Sequence, residues 1–284
     1  MPVARRFDLL WQPLRNGLHR NNKAWHDYAH RGSLSYPWLV KFGTRCEPHQ
    51  NWSILKTMTN TDNSKDSHNA PASLIEERRD YTVNTLRRDE LSSSPITQFT
   101  HWLQDARDKK IIDATAMMLS TSDSTGQPHS RVVLLKKFDD DGFTWYTYQE
   151  SDKARQIQDN PKASILFYWC ALERQVRIEG TVEKLDPRDA DEYFYSRPEG
   201  SRFSAAASIQ SSPVENREVL EQRVRDLHEQ HPDGNVPRPA VWGGYRLRPQ
   251  RLEFWQGRAD RLHDRFVFQR SSTNTDWLIQ RISP

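Results

Sequence analysis

The sequence predicts a mainly β (α+β) fold, an antiparallel barrel with peripheral helices, and three observations carry that prediction. Short runs rich in β-branched and aromatic residues recur at 115–121, 131–137, 143–148, 163–169, 175–185, 242–248, 251–255, 265–270 and 277–282. Turn chemistry separates neighbours, as in Thr125-Gly126-Gln127-Pro128 and Asp139-Asp140-Asp141-Gly142, which is the spacing of hairpins. Helical periodicity is confined to a few segments, and no internal repeat is evident.

Taken in order, residues 1–73 read as an extension outside the folded part. They hold Arg5, Arg6, Arg15, Arg20, Lys23, Arg31, Lys41 and Arg45 against only Asp8, Asp27 and Glu47. From Thr57 to Ser73 the composition is Thr, Asn, Asp, Ser and Pro, a linker signature that predicts disorder. A basic, acid-poor start is compatible with a mitochondrial targeting segment, and Met58 offers an alternative start site. The folded domain is expected over 74–284. Ser94-Pro95 is an N-cap and first-turn pair, and Ile96, Phe99, Leu103 and Ala106 recur at helical spacing, so a helix should run to about Lys110. Short helices fit 152–158 and 187–195, and a longer polar one fits 213–229.

Composition narrows the function classes. The chain has 284 residues, 35% hydrophobic and 28% charged, long enough to bury a sizeable core. No run approaches the roughly 20 apolar residues of a membrane span, so no membrane partner is expected. The net charge of +3 is too small to imply a nucleic-acid partner, although a pI of 8.8 leaves room for local basic clusters. The two cysteines, Cys46 and Cys170, lie far apart in dissimilar contexts, which disfavours a disulfide framework or a metal site and suits a cytoplasmic, reducing setting. Neither a P-loop nor a dinucleotide fingerprint is present, and His-Glu-x-x-His and Gly-x-Ser-x-Gly are missing. A nucleotide would have to be gripped by side chains.

Several segments carry suitable side chains. Near the C-terminus Glu253-Phe254-Trp255-Gln256-Gly257 is followed by Arg261-Leu262-His263-Asp264-Arg265. Fixed cations beside an aromatic wall suit a flat, anionic, aromatic ligand, while a solvated hairpin loop is the plainer account. Arg131 and Lys136 flank an apolar run, and as strand residues an odd number apart they are expected on opposite faces, serving two pockets. Tyr193-Phe194-Tyr195-Ser196-Arg197-Pro198 followed by Ser201 offers a phosphate clamp, or simply a helix end stopped by proline. Gln210-Ser211-Ser212-Pro213 either caps the next helix or presents amide and hydroxyl groups to a ligand.

Together these segments resemble the pyridoxine/pyridoxamine 5′-phosphate oxidase family over about residues 75–284. Arg78-Arg79-Asp80-Tyr81, Arg131 through Lys136, Tyr146-Thr147, Leu172-Glu173-Arg174-Gln175-Val176 and Trp242-Gly243-Gly244-Tyr245 join the motifs above in carrying the resemblance. It implies a split-barrel FMN-binding fold and a homodimer with FMN sites at the subunit interface. It also implies that pyridoxine or pyridoxamine 5′-phosphate gives up a hydride from C4′ to the flavin. Dioxygen then reoxidises the flavin to give hydrogen peroxide, and the amine releases ammonia. Arg131, Lys153, Gln210 and Ser211 would hold the FMN phosphate and ribityl chain, with Tyr146 and Thr147 adding contacts, and Gln175, Trp255 and Arg265 would meet the ring. Lys136, Tyr193, Arg197 and Ser201 would grip the substrate phosphate, Lys136 also bordering the FMN site. Arg261 and His263 would flank the pyridine as the catalytic pair, covered by Arg78 and Tyr81. Asp264 receives no role.

The chain departs from the family pattern twice. Asp152-Lys153 stands where Arg-Lys is usual, which puts a carboxylate near the FMN phosphate. Arg202-Phe203-Ser204-Ala205 replaces Gln-Ile-Gly-Ala in what reads as a loop beside the substrate phosphate, where Arg202 would add charge. These departures keep open a second reading, a split-barrel protein that binds FMN or pyridoxal phosphate without oxidising anything.

Overall fold

A computed structural model describes residues 78–270 and 276–284. The extension expected over 1–73, its targeting role and Cys46 lie outside those residues. Ser94 opens the first helix as its sequence predicts: its hydroxyl accepts from the Ile96 and Thr97 amides, and Pro95 occupies the first turn. This helix, α1 (Pro95–Asp108), lays Phe99, Trp102, Leu103 and Ala106 into the core.

The strands are β1 (Ala116–Ser122), β2 (Pro128–Leu134), β3 (Lys137–Asp139), β4 (Gly142–Tyr148), β5 (Lys162–Trp169), β6 (Arg174–Lys184), β7 (Trp242–Gln256), β8 (Asp264–Gln269) and β9 (Leu278–Arg281). All pair antiparallel in the order β2-β1-β5-β6-β7-β4-β3, with β8 added to β7 and β9 to β8. The predicted mainly β, split-barrel class holds. β7 has β6 along one edge; on the other, its first half pairs β4 and its second half pairs β8, and there the barrel splits. The interior is aromatic: Phe99 meets Phe143 and Phe167 at centroid distances of 5.1 and 5.0 Å, and Trp102 meets Phe254 edge-on at 5.2 Å. The helices α2 (Asp152–Asp159), α3 (Pro187–Ser196), α4 (Glu199–Ala207) and α5 (Arg217–Gln230) complete the domain. Phe194, Phe203, Val236 and Trp242 form a second, smaller core beneath them.

Four expectations are corrected. The runs 242–248 and 251–255 are one strand, because Pro249 sits where the β6 register shifts between Glu179 and Gly180, the kind of irregularity that tolerates a proline within a strand. The strand expected at 131–137 ends at Leu134; the Leu135 amide still donates to Thr115, but that of Lys136 crosses to Thr144 of β4. The polar helix begins at Arg217 rather than Pro213, capped by Asn216, whose side chain accepts from the Val219 amide at 3.0 Å. Residues 202–205 lie inside α4, not in a loop: Phe203 is fully buried and stacks on His228 at 3.7 Å.

Candidate active site

A cavity of about 860 Å³ opens between β2, β4, α2, α3 and α4. It gathers ten of the expected site residues: Arg131, Lys136, Tyr146, Thr147, Lys153, Tyr193, Arg197, Ser201, Gln210 and Ser211. Arg131 and Lys136 therefore share one cavity instead of serving opposite faces. The alternation that would separate them is lost where the chain leaves β2 for β4.

The charge balance of this cavity is lopsided. Four cations border it against one carboxylate, Asp152, which is ion-paired with Arg155. Lys153 is buried, 8% exposed, and its Nζ donates only to neutral oxygens: Gln210 Oε1 at 2.9 Å and the hydroxyls of Thr147 and Ser151 at 3.2 Å each. Burial first, and Arg131 beside it second, bring its pKa down to about 8, against a smaller opposing pull from Asp152. Arg131 donates to Thr121 Oγ1 at 2.6 Å and Gln156 Oε1 at 3.0 Å, again neutral acceptors, and burial lowers its pKa. The first turn of α2 borders the same space, so amide dipoles add to the positive potential. Ser211, at φ 69°, accepts from the Asp152 amide at 3.2 Å.

One wall is an aromatic pile. Tyr146 stacks on Tyr193 at 4.1 Å and on Trp242 at 5.5 Å, and the Arg197 guanidinium lies 5.0 Å from the Trp242 ring centroid. Arg197 Nη1 is buried with no hydrogen-bond partner, an expensive arrangement unless an anion completes it. Arg202 turns the other way: its guanidinium donates to the Tyr195 and Gly234 carbonyls, so it adds no charge to the cavity. Sequence reasoning missed Trp242, Ser204 and Ser208 as lining residues. The Trp242-Gly243-Gly244 run held the signal for Trp242, since a Cβ on Gly244 would meet the Tyr146 ring at 2.9 Å.

A second group assembles around Trp255. Gln175, Trp255 and Arg265 line a cleft of about 270 Å³ that shares no residue with the large cavity. Trp255 and His263 are 4.6 Å apart, and Tyr81 meets both edge-on at 5.7 and 5.6 Å. Arg261, in the left-handed region at φ 62°, places its guanidinium 6.0 Å from the Tyr81 ring. His263 Nδ1 accepts from the Arg258 amide at 3.1 Å, which leaves the ring proton on Nε2. Burial, then Arg261 and Arg265, hold its pKa below the usual imidazole range against a weaker pull from Asp264. Arg265 is oriented by Glu253, a buried carboxylate that opens the Glu253–Gly257 motif but received no role from the sequence, through contacts of 2.8 and 2.6 Å. Burial raises the Glu253 carboxyl, but Arg265, Arg251 and Arg177 outweigh it and leave the pKa low. Arg78 is exposed at the start of the described chain, outside both groups.

The split barrel, the cation-rich cavity and the Trp255 group coincide with what family models recognise. Residues 103–231 match the model described as pyridoxamine 5′-phosphate oxidase. Residues 242–284 match that of the pyridoxine 5′-phosphate oxidase C-terminal dimerisation region. The chain belongs to the pyridoxine/pyridoxamine 5′-phosphate oxidase family. Pyridoxine/pyridoxamine 5′-phosphate oxidase 1 of Hydrogenovibrio crunogenus is 49% identical over 73% of this chain and 96% of its own length. The Paraburkholderia phytofirmans oxidase is 48% identical over 75% of this chain and 99% of its own. Among solved structures, PhzG of Burkholderia lata in complex with tetrahydrophenazine-1-carboxylic acid superposes with a TM-score of 0.67. It is 31% identical and covers 71% of this chain and 99% of its own. No helix among the described residues is long and apolar enough to cross a membrane.

Proposed function

We propose that this protein oxidises pyridoxamine 5′-phosphate and pyridoxine 5′-phosphate to pyridoxal 5′-phosphate with FMN as cofactor. The observation that carries the reading is the large cavity, where Arg131, Lys136, Lys153 and Arg197 meet a single, already paired carboxylate. A phosphate monoester carries about −1.5 to −2 charges near neutral pH, so two phosphates suit this excess of cations. The names of the relatives support the substrate class.

The residues present fit FMN. Lys153 has only neutral partners, and with Arg131, Gln210 and Ser211 it would hold the phosphate and ribityl chain, beside Tyr146 and Thr147. Gln175, Trp255 and Arg265 would meet the ring, with Glu253 fixing Arg265. When bound, FMN would supply the acceptor for the hydride leaving C4′, with dioxygen as final oxidant giving hydrogen peroxide. The unpartnered Arg197 Nη1, with Lys136, Tyr193 and Ser201, would take the substrate phosphate. Arg261 would lend positive charge to the pyridine, and His263, neutral with its proton on Nε2, would donate a hydrogen bond while Tyr81 excludes water; Arg78 would join Tyr81 only if its segment closed over the ligand. Arg155 would offset Asp152 and remove the obstacle that its carboxylate sets to FMN binding.

The cavity and the Trp255 group share no residue, and this supports a homodimer in which each flavin is bound by the cavity of one copy and the Trp255 group of the other. The exposed apolar strip of Val132, Leu134, Met118 and Tyr168 on the β2-β1-β5 face suits the same contact. A cytoplasmic setting agrees with the free thiol of Cys170.

The test is purified full-length protein supplied with FMN and pyridoxamine 5′-phosphate. Oxygen consumption with stoichiometric aldehyde formation is expected, from a species of dimer mass by light scattering. Stoichiometric FMN without turnover of either substrate would leave the non-catalytic binding protein as the surviving reading.

A further inference from the structure

Two buried carboxylates take no part in the scheme above. Glu173 is 3% exposed and Asp264 is 7% exposed. A carboxylate in such a position is costly unless donors are aimed at it, and the donors here are specific. Glu173, left-handed at φ 53°, accepts from the Val83 amide at 3.0 Å and pairs with Arg79 at 3.7 Å. Asp264 Oδ2 accepts from the Leu86 amide at 3.1 Å and from Arg258 Nη1 at 3.2 Å, while its Oδ1 accepts from Arg281 at 3.0 Å. Arg281 also donates to the Leu86 carbonyl at 3.3 Å. Both carboxylates thus grip the backbone of one extended segment, 79–86, at amides three residues apart. The grip at Val83 owes nothing to side-chain burial, since that side chain is 53% exposed.

Tyr81 lies within the gripped segment, edge-on to Trp255 and His263. Its ring also fills the space over Gly257, where a Cβ would come within 2.7 Å of Tyr81 Cγ. Asp264 reaches His263 by a second route, because the Arg258 it holds donates its amide to His263 Nδ1.

We infer that Glu173 and Asp264 are positioning residues that anchor segment 79–86 by its amides, so that Tyr81 stays on the Trp255–His263 face and the imidazole keeps its orientation. The kinetic consequence rests on the proposed function; the anchoring does not.

The test uses the full-length protein loaded with FMN, without substrate, and reads hydrogen exchange at the Val83 and Leu86 amides. Asp264→Asn is expected to speed exchange at Leu86, and Glu173→Gln at Val83, each about tenfold, which corresponds to about 1.4 kcal/mol. Arg281→Gln, at a half-exposed side chain, should speed Leu86 exchange even if Asp264→Asn fails to fold. With pyridoxamine 5′-phosphate, the same variants should raise KM several-fold while kcat and FMN affinity stay within about twofold. Unchanged exchange at both amides in Glu173→Gln and Arg281→Gln overturns the inference. So does a loss of FMN affinity that parallels the KM rise, which marks a general structural role. If the unmodified protein turns over neither substrate, the proposed function fails while the exchange measurement still decides the anchors.

Discussion

Lys153 offers the sharpest experiment, because the same physics governs its effect on stability and on binding. Its pKa is brought from 10.5 to about 8, chiefly by burial. At about 1.4 kcal/mol per pH unit, the distance between those values corresponds to about 3 kcal/mol spent on keeping the ammonium charged in the ligand-free protein. The sign follows from the lowered folded value. Below pH 8 the cost is fully present; between about 8 and 10.5 the folded state sheds its proton before the unfolded state does, so stability rises with pH. Lys153→Met removes the cost, and the ligand-free variant should melt higher, by on the order of 10 °C for a domain of this size. Binding responds in the opposite sense. A charge-assisted contact to phosphate contributes about 1.5–3 kcal/mol, so FMN affinity should fall about 10- to 150-fold. In the unmodified protein FMN affinity should decline as pH rises above about 8, and the variant should lose that limb. Flavin fluorescence titrations and calorimetric melts across pH 7 to about 10 read both effects. A variant that melts lower than the parent yet binds FMN equally well refutes the assignment of Lys153 as a buried cation awaiting an anion.

Other outcomes follow from the same contacts. Arg197→Met should raise KM for pyridoxamine 5′-phosphate by about 10- to 100-fold through loss of charge-assisted contacts, with FMN affinity within about twofold, as steady-state kinetics will report. The imidazole of His263 is held below its ordinary value of 6.5 by burial and by Arg261 and Arg265, so proton NMR should find its titration midpoint on the acid side of that value, and any acid limb it imposes on kcat/KM should lie there too. The depressed Glu253 carboxyl contributes stability present above its ordinary value of 4.5 and lost as pH falls through the folded value. Glu253→Gln should therefore flatten the acid limb of a denaturation series and loosen Arg265, lowering stability at neutral pH by about 3 kcal/mol.

What the sequence made legible was local chemistry. Ser94-Pro95 predicts a helix start because the cap and first-turn residues act within four positions of one another. Of the ten cavity residues, Arg131, Lys136, Tyr193, Arg197, Ser201, Gln210 and Ser211 lay in segments whose chemistry was suggestive but open, and Tyr146, Thr147 and Lys153 entered only through the family resemblance. The long-range consequences were not legible. Pro249 reads as a strand breaker, and only the register shift opposite Glu179 and Gly180 lets one strand pass through it. Lys136 lands beside Arg131 because the chain changes strands after Leu134, an event no alternation rule contains. Asp264 looked idle because its partners, the Leu86 amide and Arg281, lie 178 and 17 residues away.

β7 finally acts as a ruler. Trp242, in the wall of the large cavity, and Trp255, at the heart of the second group, stand near opposite ends of this one unbroken strand. Thirteen residues of extended chain measure about 43 Å along the contour, several times the roughly 10 Å breadth of a cavity of this volume. The two tryptophans line separate clefts, and the strand that carries both is held in register by β6 along most of its length. Under the proposed function, that spacing along one strand is what would oblige a second copy to supply the other half of each flavin site.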